Sequence, residues 1–509
     1  MKRIVNYLFL AAFLSAHLSL LAVPAKPGLG LVEPAHPQIP QNIRIRHNMP
    51  AAFREIGDRN MAEHGLVILV EFSDKKFQST NKRADFDSLM NADNYNYNGA
   101  TGSVRRYFRD QSNDQYKPHL DVIGPVTMPH NMAYYGTNDG DGTDRYLADF
   151  VMDAVTAADD LGVDFTPYDN NHDGVIDFIY FIYAGYGEAD SGISNTIWPH
   201  NWSLSAALYF GGTTQETYYY SDYGQNLPTV DGLYYDNYAC SMELRYSYYD
   251  DKRTGIATIA HEFSHVLGLP DLYDTNYGNN YYSGYTPGSW DLMDNGSYNN
   301  DGNTPPNYSV YEKYYLGWIT PEMLRAKEIN GSPVTSFADT LRADGQSYRM
   351  LSRNMQYELT DAERNDTVYY FENRQQSGWD AYVPGHGMVV WQVVWDYNAW
   401  YDNAPNNTSS RPRCSIVCSS DLTLRPDYFY SGQAVTFPGS SNVTSYAPFG
   451  NQHVRLSNIK EVTLNGKKAI TFNVTTPNDV PVDPTYTFYI RNNWAGGSYT
   501  WKLMEPVDS

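Results

Sequence analysis

Cysteine is scarce: 509 residues hold three, Cys240, Cys414 and Cys418. An odd count leaves a thiol unpaired and excludes a densely disulfide-stapled scaffold. Cys414 and Cys418 are the pair able to close a small loop, worth about 2 kcal/mol by chain entropy. Cys240 reads as a small buried hydrophobe without a catalytic role. Basic residues are also few, 36 against 58 acidic ones, so the formal charge is 36 − 58 = −22. Such a chain does not suit a phosphate backbone or an anionic lipid surface, so no nucleic acid is expected as a partner. Acidity favours solubility and divalent cations instead. After the first 22 residues no apolar run approaches membrane length, and no internal repeat is evident. Aromatics are plentiful at 15%, including 46 Tyr, which fits β-rich structure. With 42% hydrophobic and 18% charged residues the chain is globular. Its length suggests two to four domains.

Lys2 and Arg3 precede an apolar stretch that ends near Ala22, followed by Ala22-Val23-Pro24-Ala25. This is the pattern of a secretory signal, expected over residues 1–25. The protein is therefore expected outside the cell or at its surface, with no membrane span once the signal is removed. A membrane anchor is the competing reading. Asn6, Ser15, His17 and Ser19 interrupt the run, and no basic stop-transfer cluster follows. No Cys follows it either, so a lipoprotein anchor is not indicated.

Residues 26–62 are Pro-rich and aperiodic, a linker or short pro-segment. Residues 66–72 read as a buried strand and 103–110 as a helix. Leu147, Phe150, Val151, Ala154, Val155, Ala158 and Leu161 mark an amphipathic helix, opened by Thr143 or Asp144 and closed by Gly162. Residues 176–184 read as a central strand. This alternation predicts an α/β domain over residues 63–325. A β-rich accessory domain is expected over residues 326–476, with strands near 368–373, 387–395 and 469–474 and a tight hairpin at Asn465-Gly466. Residues 477–509 form a linker and a strand-like tail.

The strongest signal is Ile-Ala-Thr-Ile-Ala-His-Glu-Phe-Ser-His-Val-Leu-Gly-Leu-Pro-Asp over residues 256–271. On a helix His261 and His265 project from one face, one turn apart, as two nitrogen ligands of one zinc ion require. Glu262 lies beside them, placed to act as general base. The apolar residues Ile256, Ile259, Ala260, Phe263, Val266 and Leu267 give the helix a buried face. Gly268 suits its left-handed cap, and Pro270 forbids continuation. The chain then turns back, and Asp271 can supply a third ligand. Asp274, Asp291 and Asp294 compete for that role. The next glutamate, Glu312, is disfavoured by its distance along the chain.

H-E-x-x-H-x-x-G-x-x-D resembles the metzincin motif with Asp in place of the third His. The longer string from His261 to Asp274 resembles the immune inhibitor A-type secreted bacterial metallopeptidases. Ser289-Trp290-Asp291-Leu292-Met293 is similar to the Met-turn of metzincins, which gives Met293 a structural role. Tyr311-Glu312-Lys313-Tyr314-Tyr315-Leu316-Gly317-Trp318 and Glu372-Asn373-Arg374 also resemble segments of that family, and the similarity runs over about residues 66–474. The resemblance implies an α/β metzincin-like peptidase domain, a twisted sheet plus an active-site helix, followed by the β-rich domain. It implies a zinc-dependent endopeptidase acting on protein or peptide substrates, with Glu262 moving the proton. Gln392 stands where the family is expected to have His, so no metal role is assigned to residues 387–396. The pro-segment has no cysteine to act as a switch. Oligomeric state and cleavage specificity are not legible.

Asp169-Asn170-Asn171-His172-Asp173-Gly174-Val175-Ile176-Asp177 places oxygen side chains at positions 1, 3, 5 and 9 of an EF-hand-like loop, with Gly at position 6. Asp169, Asn171, Asp173, the Val175 carbonyl and Asp177 are thus candidate calcium ligands. Position 12 is Tyr180 and a strand follows, so the expectation is a shortened structural site, with a polar turn as the alternative. The loop from Asp139 to Asp144 reads as a turn and helix cap. A non-catalytic surface protein that binds glycans or proteins is the competing function, with Trp379, Trp391, Trp395 and Trp400 as stacking surfaces.

Overall fold

The computed structural model describes residues 21–24, 26 and 64–475, apart from short stretches of which 276–284, 352–366 and 425–434 are the longest. The core of the expected export signal, nearly all of the expected linker, Trp395 and the expected tail lie outside the described residues. No described helix is long and apolar enough to cross a membrane.

The first sheet has the spatial order Leu21–Ala22, His200–Ser203, Asn237–Arg245, Ile179–Tyr186, His64–Glu71, His119–Thr127. Lys252–Arg253 pairs with the end of Asn237–Arg245. The last four strands on the path run parallel, whereas His200–Ser203 is antiparallel to its neighbour. Both faces are covered, which explains why the parallel strands read as near-continuous apolar runs. In His64–Glu71, Leu66, Ile68 and Val70 pack with the helix Leu147–Asp159. Val67 and Leu69 face the other way, with the helices Val104–Gln111 and Ile256–Val266.

The strand expected over residues 66–72 is observed as His64–Glu71, whereas the one expected over 176–184 is corrected: Val175–Ile176 pairs with Tyr234 and Tyr235 in a separate small sheet, and the central strand is Ile179–Tyr186. The helix Val104–Gln111 is capped by Ser103, whose side chain accepts from the Arg106 N–H. The expected opening of the next helix at Thr143 or Asp144 needs correction. The helix starts at Leu147, and Asp144 instead accepts the Trp198 N–H at 2.9 Å. A tertiary partner has taken the carboxylate from the cap.

The β-rich part holds a six-stranded sheet, in which Thr367–Arg374, Gly387–Val394 and Cys414–Cys418 are consecutive neighbours, and a three-stranded sheet with the hairpin Arg455–Leu464/Lys467–Thr475. Asn465 and Gly466 form its turn with φ of 52° and 80°, the left-handed pair that a two-residue hairpin demands. Cys414 and Cys418 are not joined in a disulfide. The expected small disulfide is therefore corrected. The two residues end one strand, and four extended residues span roughly 13 Å, beyond disulfide reach. Val389, Trp391, Val393, Cys414 and Ile416 share a hydrophobic core with Ile256, Phe263 and Met293. That core is continuous across residue 325.

Candidate metal centre

The helix Ile256–Val266 begins where its backbone meets the turn at Gly302. A Cβ on Gly255 would stand 2.1 Å from the Gly302 carbonyl oxygen. The helix ends in a Schellman motif. The Gly268 N–H reaches the His265 carbonyl at 2.9 Å and the Leu269 N–H reaches the Ser264 carbonyl at 3.1 Å, with Gly268 at φ 96°. This turn also carries chemistry, because it brings the Leu269 carbonyl back to His265 Nδ1 at 2.8 Å. His261 Nδ1 is held in the same way by the Leu292 carbonyl, at 2.8 Å. The turn at residues 289–293 thus touches the site through its backbone, and the Met293 carbonyl accepts the Leu272 N–H.

A carbonyl only accepts, so each Nδ1 carries its hydrogen and each neutral imidazole turns a lone pair outward on Nε2. The two Nε2 atoms lie 3.2 Å apart. Asp271 Oδ1 lies 3.0 Å from one and 3.3 Å from the other. These buried residues form the single group of three His, Cys, Asp or Glu side chains among the described residues whose ligand atoms all fall within 4.8 Å. Three lone-pair atoms converging away from water require a cation between them, a proton or a metal ion. The donor set, two nitrogens and a carboxylate oxygen, is that of a zinc site with a fourth position left open. Burial lowers the pKa of His265 most strongly, against the opposing charge of Asp271. For Asp271, burial pushes its pKa upward, but the two imidazoles together outweigh it and hold the carboxyl well below its usual range.

The position of Asp271 depends on the β-rich part. Asn403 Nδ2 donates to Asp271 Oδ2 at 2.6 Å, and Asn403 Oδ1 accepts the Asp271 N–H at 2.6 Å. Asn406 donates to the Leu272 carbonyl, and Asn407 accepts the Thr275 N–H. Nothing in the motif announced Asn403. The run Asn403-Ala-Pro-Asn-Asn signals a turn, and Asn403 does adopt φ 52°, but a turn signal names no partner.

The competing carboxylates lie elsewhere. Asp291 accepts the Met293 N–H, and Asp294 accepts the N–H groups of Gly288 and Asn295. Glu312 closes a capping box with Ser309. Asp274 is outside the three-residue group. Glu262 is fully buried, and its Oε1 accepts the Val23 N–H at 2.9 Å. No sequence signal foretold that contact.

In the loop over residues 169–177 the carboxylates serve the backbone. Asp169 accepts the N–H groups of Asp173 and Gly174, Asp173 accepts that of Val175, and Asp177 accepts that of Asn170. Asn171 donates to Asp173 at 3.2 Å. Asp169, Asp173 and Asp177 do not converge as closely as the histidine site does. Trp379, Trp391 and Trp400 are buried in the core, so they present no open stacking platform.

A mixed α/β domain with two histidines and an aspartate gathered at the end of an H-E-x-x-H helix defines a metallopeptidase-type catalytic domain. The family model described as "Immune inhibitor A peptidase M6, catalytic domain" matches residues 52–319, more than half of the chain, and the chain belongs to that family. It is 27% identical over 287 residues to immune inhibitor A of Bacillus thuringiensis subsp. alesti, covering 49% of this chain and 39% of that protein. It is 28% identical over 277 residues to the pre-pro-metalloprotease PrtV of Vibrio cholerae serotype O1 (strain M66-2), covering 48% of this chain and 28% of that protein. The match thus spans well under half the length of these relatives.

Proposed function

We propose that the protein is a secreted zinc-dependent endopeptidase that hydrolyses peptide bonds of extracellular proteins. The observation that carries the reading is the convergence of His261 Nε2, His265 Nε2 and Asp271 Oδ1, each fixed from behind by a hydrogen bond. These three atoms would hold zinc. When bound, zinc polarises a carbonyl and makes water acidic enough to attack near neutral pH. Glu262 takes the proton released by the attacking water on a carboxylate oxygen and delivers it to the leaving amine nitrogen. Its Oε1 already faces a peptide nitrogen, that of Val23. With Asp271 among its ligands, a bound zinc would carry a formal charge of +1 rather than +2 and would acidify water less than at a three-histidine site, so Glu262 would matter more as proton acceptor. Secretion is supported by the signal-like pattern of residues 1–25. A structural calcium ion in the loop 169–177 belongs to the same proposal, on the spacing of its oxygen side chains.

Casein digestion by the purified protein, with and without a zinc chelator, tests the activity. Glu262→Gln is expected to cut turnover by at least about a hundredfold while metal analysis still finds one zinc per chain. Full hydrolysis by that variant would remove Glu262 from the mechanism.

A further inference from the structure

A segment of the chain itself crosses the site. Leu21–Ala22 lies on the edge strand His200–Ser203 as an added antiparallel strand, with Leu21 opposite Asn201 and Ala22 opposite His200. The Val23 N–H then meets Glu262 Oε1 at 2.9 Å, and the Val23 carbonyl accepts from Trp198 Nε1 at 3.2 Å. The Pro24 carbonyl accepts the Tyr298 hydroxyl, and the Lys26 N–H reaches the Ala189 carbonyl at 2.9 Å. Backbone groups make these contacts, so any peptide can repeat them. The nitrogen of the Ala22–Val23 bond sits at the carboxylate that hands a proton to a leaving amine.

One contact depends on a side chain. Lys26 Nζ lies 2.7 Å from Asp190 Oδ1 and donates to the Tyr246 carbonyl at 3.1 Å. The Asp190 side chain is 2% exposed, and its Oδ2 accepts the Tyr246 N–H at 2.5 Å. Lys26 apart, no hydrogen bond from the described residues reaches Oδ1. The Lys26 ammonium does. A carboxylate this deeply buried is unfavourable without a cationic partner. Here the cation arrives on the segment that crosses the site, three residues after the nitrogen facing Glu262.

We propose that Asp190 is a specificity-determining residue of the peptidase, recognising a Lys or Arg side chain at the fourth position after the bond to be cut. Residues 21–24 and Lys26 mark the path of such a substrate. The proposal rests on the peptidase reading above and names a feature of its substrates.

The test uses the full chain and its Lys26→Ala variant, which frees Asp190. Fluorogenic peptides identical except for Lys, Arg, Ala or Glu at the fourth position after the cleavage site are compared. Expected is a kcat/KM at least tenfold higher for Lys and Arg than for Ala, carried mainly by KM, with Glu poorest. Asp190→Asn should reduce that advantage to less than threefold, and Asp190→Lys should transfer it to the Glu peptide. Equal kcat/KM for all four peptides overturns the proposal even if the Asp190 variants fail to fold. So does a folded Asp190→Asn protein that keeps the full preference. Binding of the same peptides to zinc-loaded Glu262→Gln protein, read by fluorescence anisotropy, separates the two readings. A tenfold Lys preference in binding without any turnover by the parent chain sinks the peptidase reading and keeps the subsite. Equal binding sinks the subsite.

Discussion

Asn403 does two jobs with one amide, accepting the Asp271 N–H and donating to its carboxylate. Removing it leaves Asp271 in place but no longer aimed. Asn403→Ala is therefore expected to weaken zinc binding by about 10–100-fold, whereas Asp271→Ala strips the metal, with competition against a chromophoric chelator as the measurement. Equal zinc affinity in Asn403→Ala and the parent would show that Asp271 needs no support. Glu312 poses a different problem. It is buried near Asp291, and burial, the largest cause, pushes the pKa of both carboxyls upward, so each favours its protonated form. Burial pushes Glu312 up from 4.5 to about 7. A carboxyl whose pKa is raised by folding stabilises the fold fully below its unfolded value, and that contribution is lost as pH rises through the folded value. The window here is 4.5 to about 7. Relative to Glu312→Gln, the parent should lose up to about 1.4 kcal/mol per pH unit across it, as read from urea midpoints at pH 5, 6 and 7. Parallel profiles for the two proteins would place the proton elsewhere.

The helix Ile256–Val266 was the most legible element, because a buried apolar face, a Gly stop and a following Pro all agree. Its C-terminal turn also positions a proposed ligand, since the Leu269 carbonyl that follows Gly268 orients His265. Gly268 stands at φ 96°, where a side chain costs about 1–2 kcal/mol. Gly268→Ala should lower the melting temperature by a few degrees and also weaken zinc binding, seen by calorimetry and metal titration. Loss of stability with unchanged zinc affinity would separate the cap from the ligand. The hairpin at Asn465-Gly466 was equally legible, because only a left-handed pair closes a two-residue turn. The helix start near residue 144 was not, because Asp144 is a good cap that tertiary structure put to another use.

Across the whole molecule the peptidase-like half and the β-rich half share a hydrophobic core and the Asp271–Asn403 contacts. Stability and metal binding should therefore respond together to distant changes. The loop at residues 169–177 joins the strand network on the far side of the sheet from the helix carrying the histidines, through Val175–Ile176 pairing with Tyr234 and Tyr235. If it holds calcium, a mild calcium-selective chelator should lower the melting temperature and speed self-digestion while zinc stays bound. Unchanged values for both would leave the loop as a turn, which its internal hydrogen bonds already make.

Local chemistry made the histidines, Glu262, the helix stop and the hairpin readable from the chain alone, because their spacing or backbone demands act within a few residues. Asp271 was readable only as a candidate beside Asp274, Asp291 and Asp294, since four carboxylates within 24 positions satisfy the same pattern. The tertiary structure separated them by engaging Asp291 and Asp294 with turn N–H groups and aiming Asp271 with Asn403. It also refused the Cys414–Cys418 bridge by extending both into one strand. Contacts between residues more than a hundred positions apart leave no periodicity in the sequence. For that reason Asn403 beside Asp271, Val23 at Glu262 and Lys26 on Asp190 became visible only once the chain was folded.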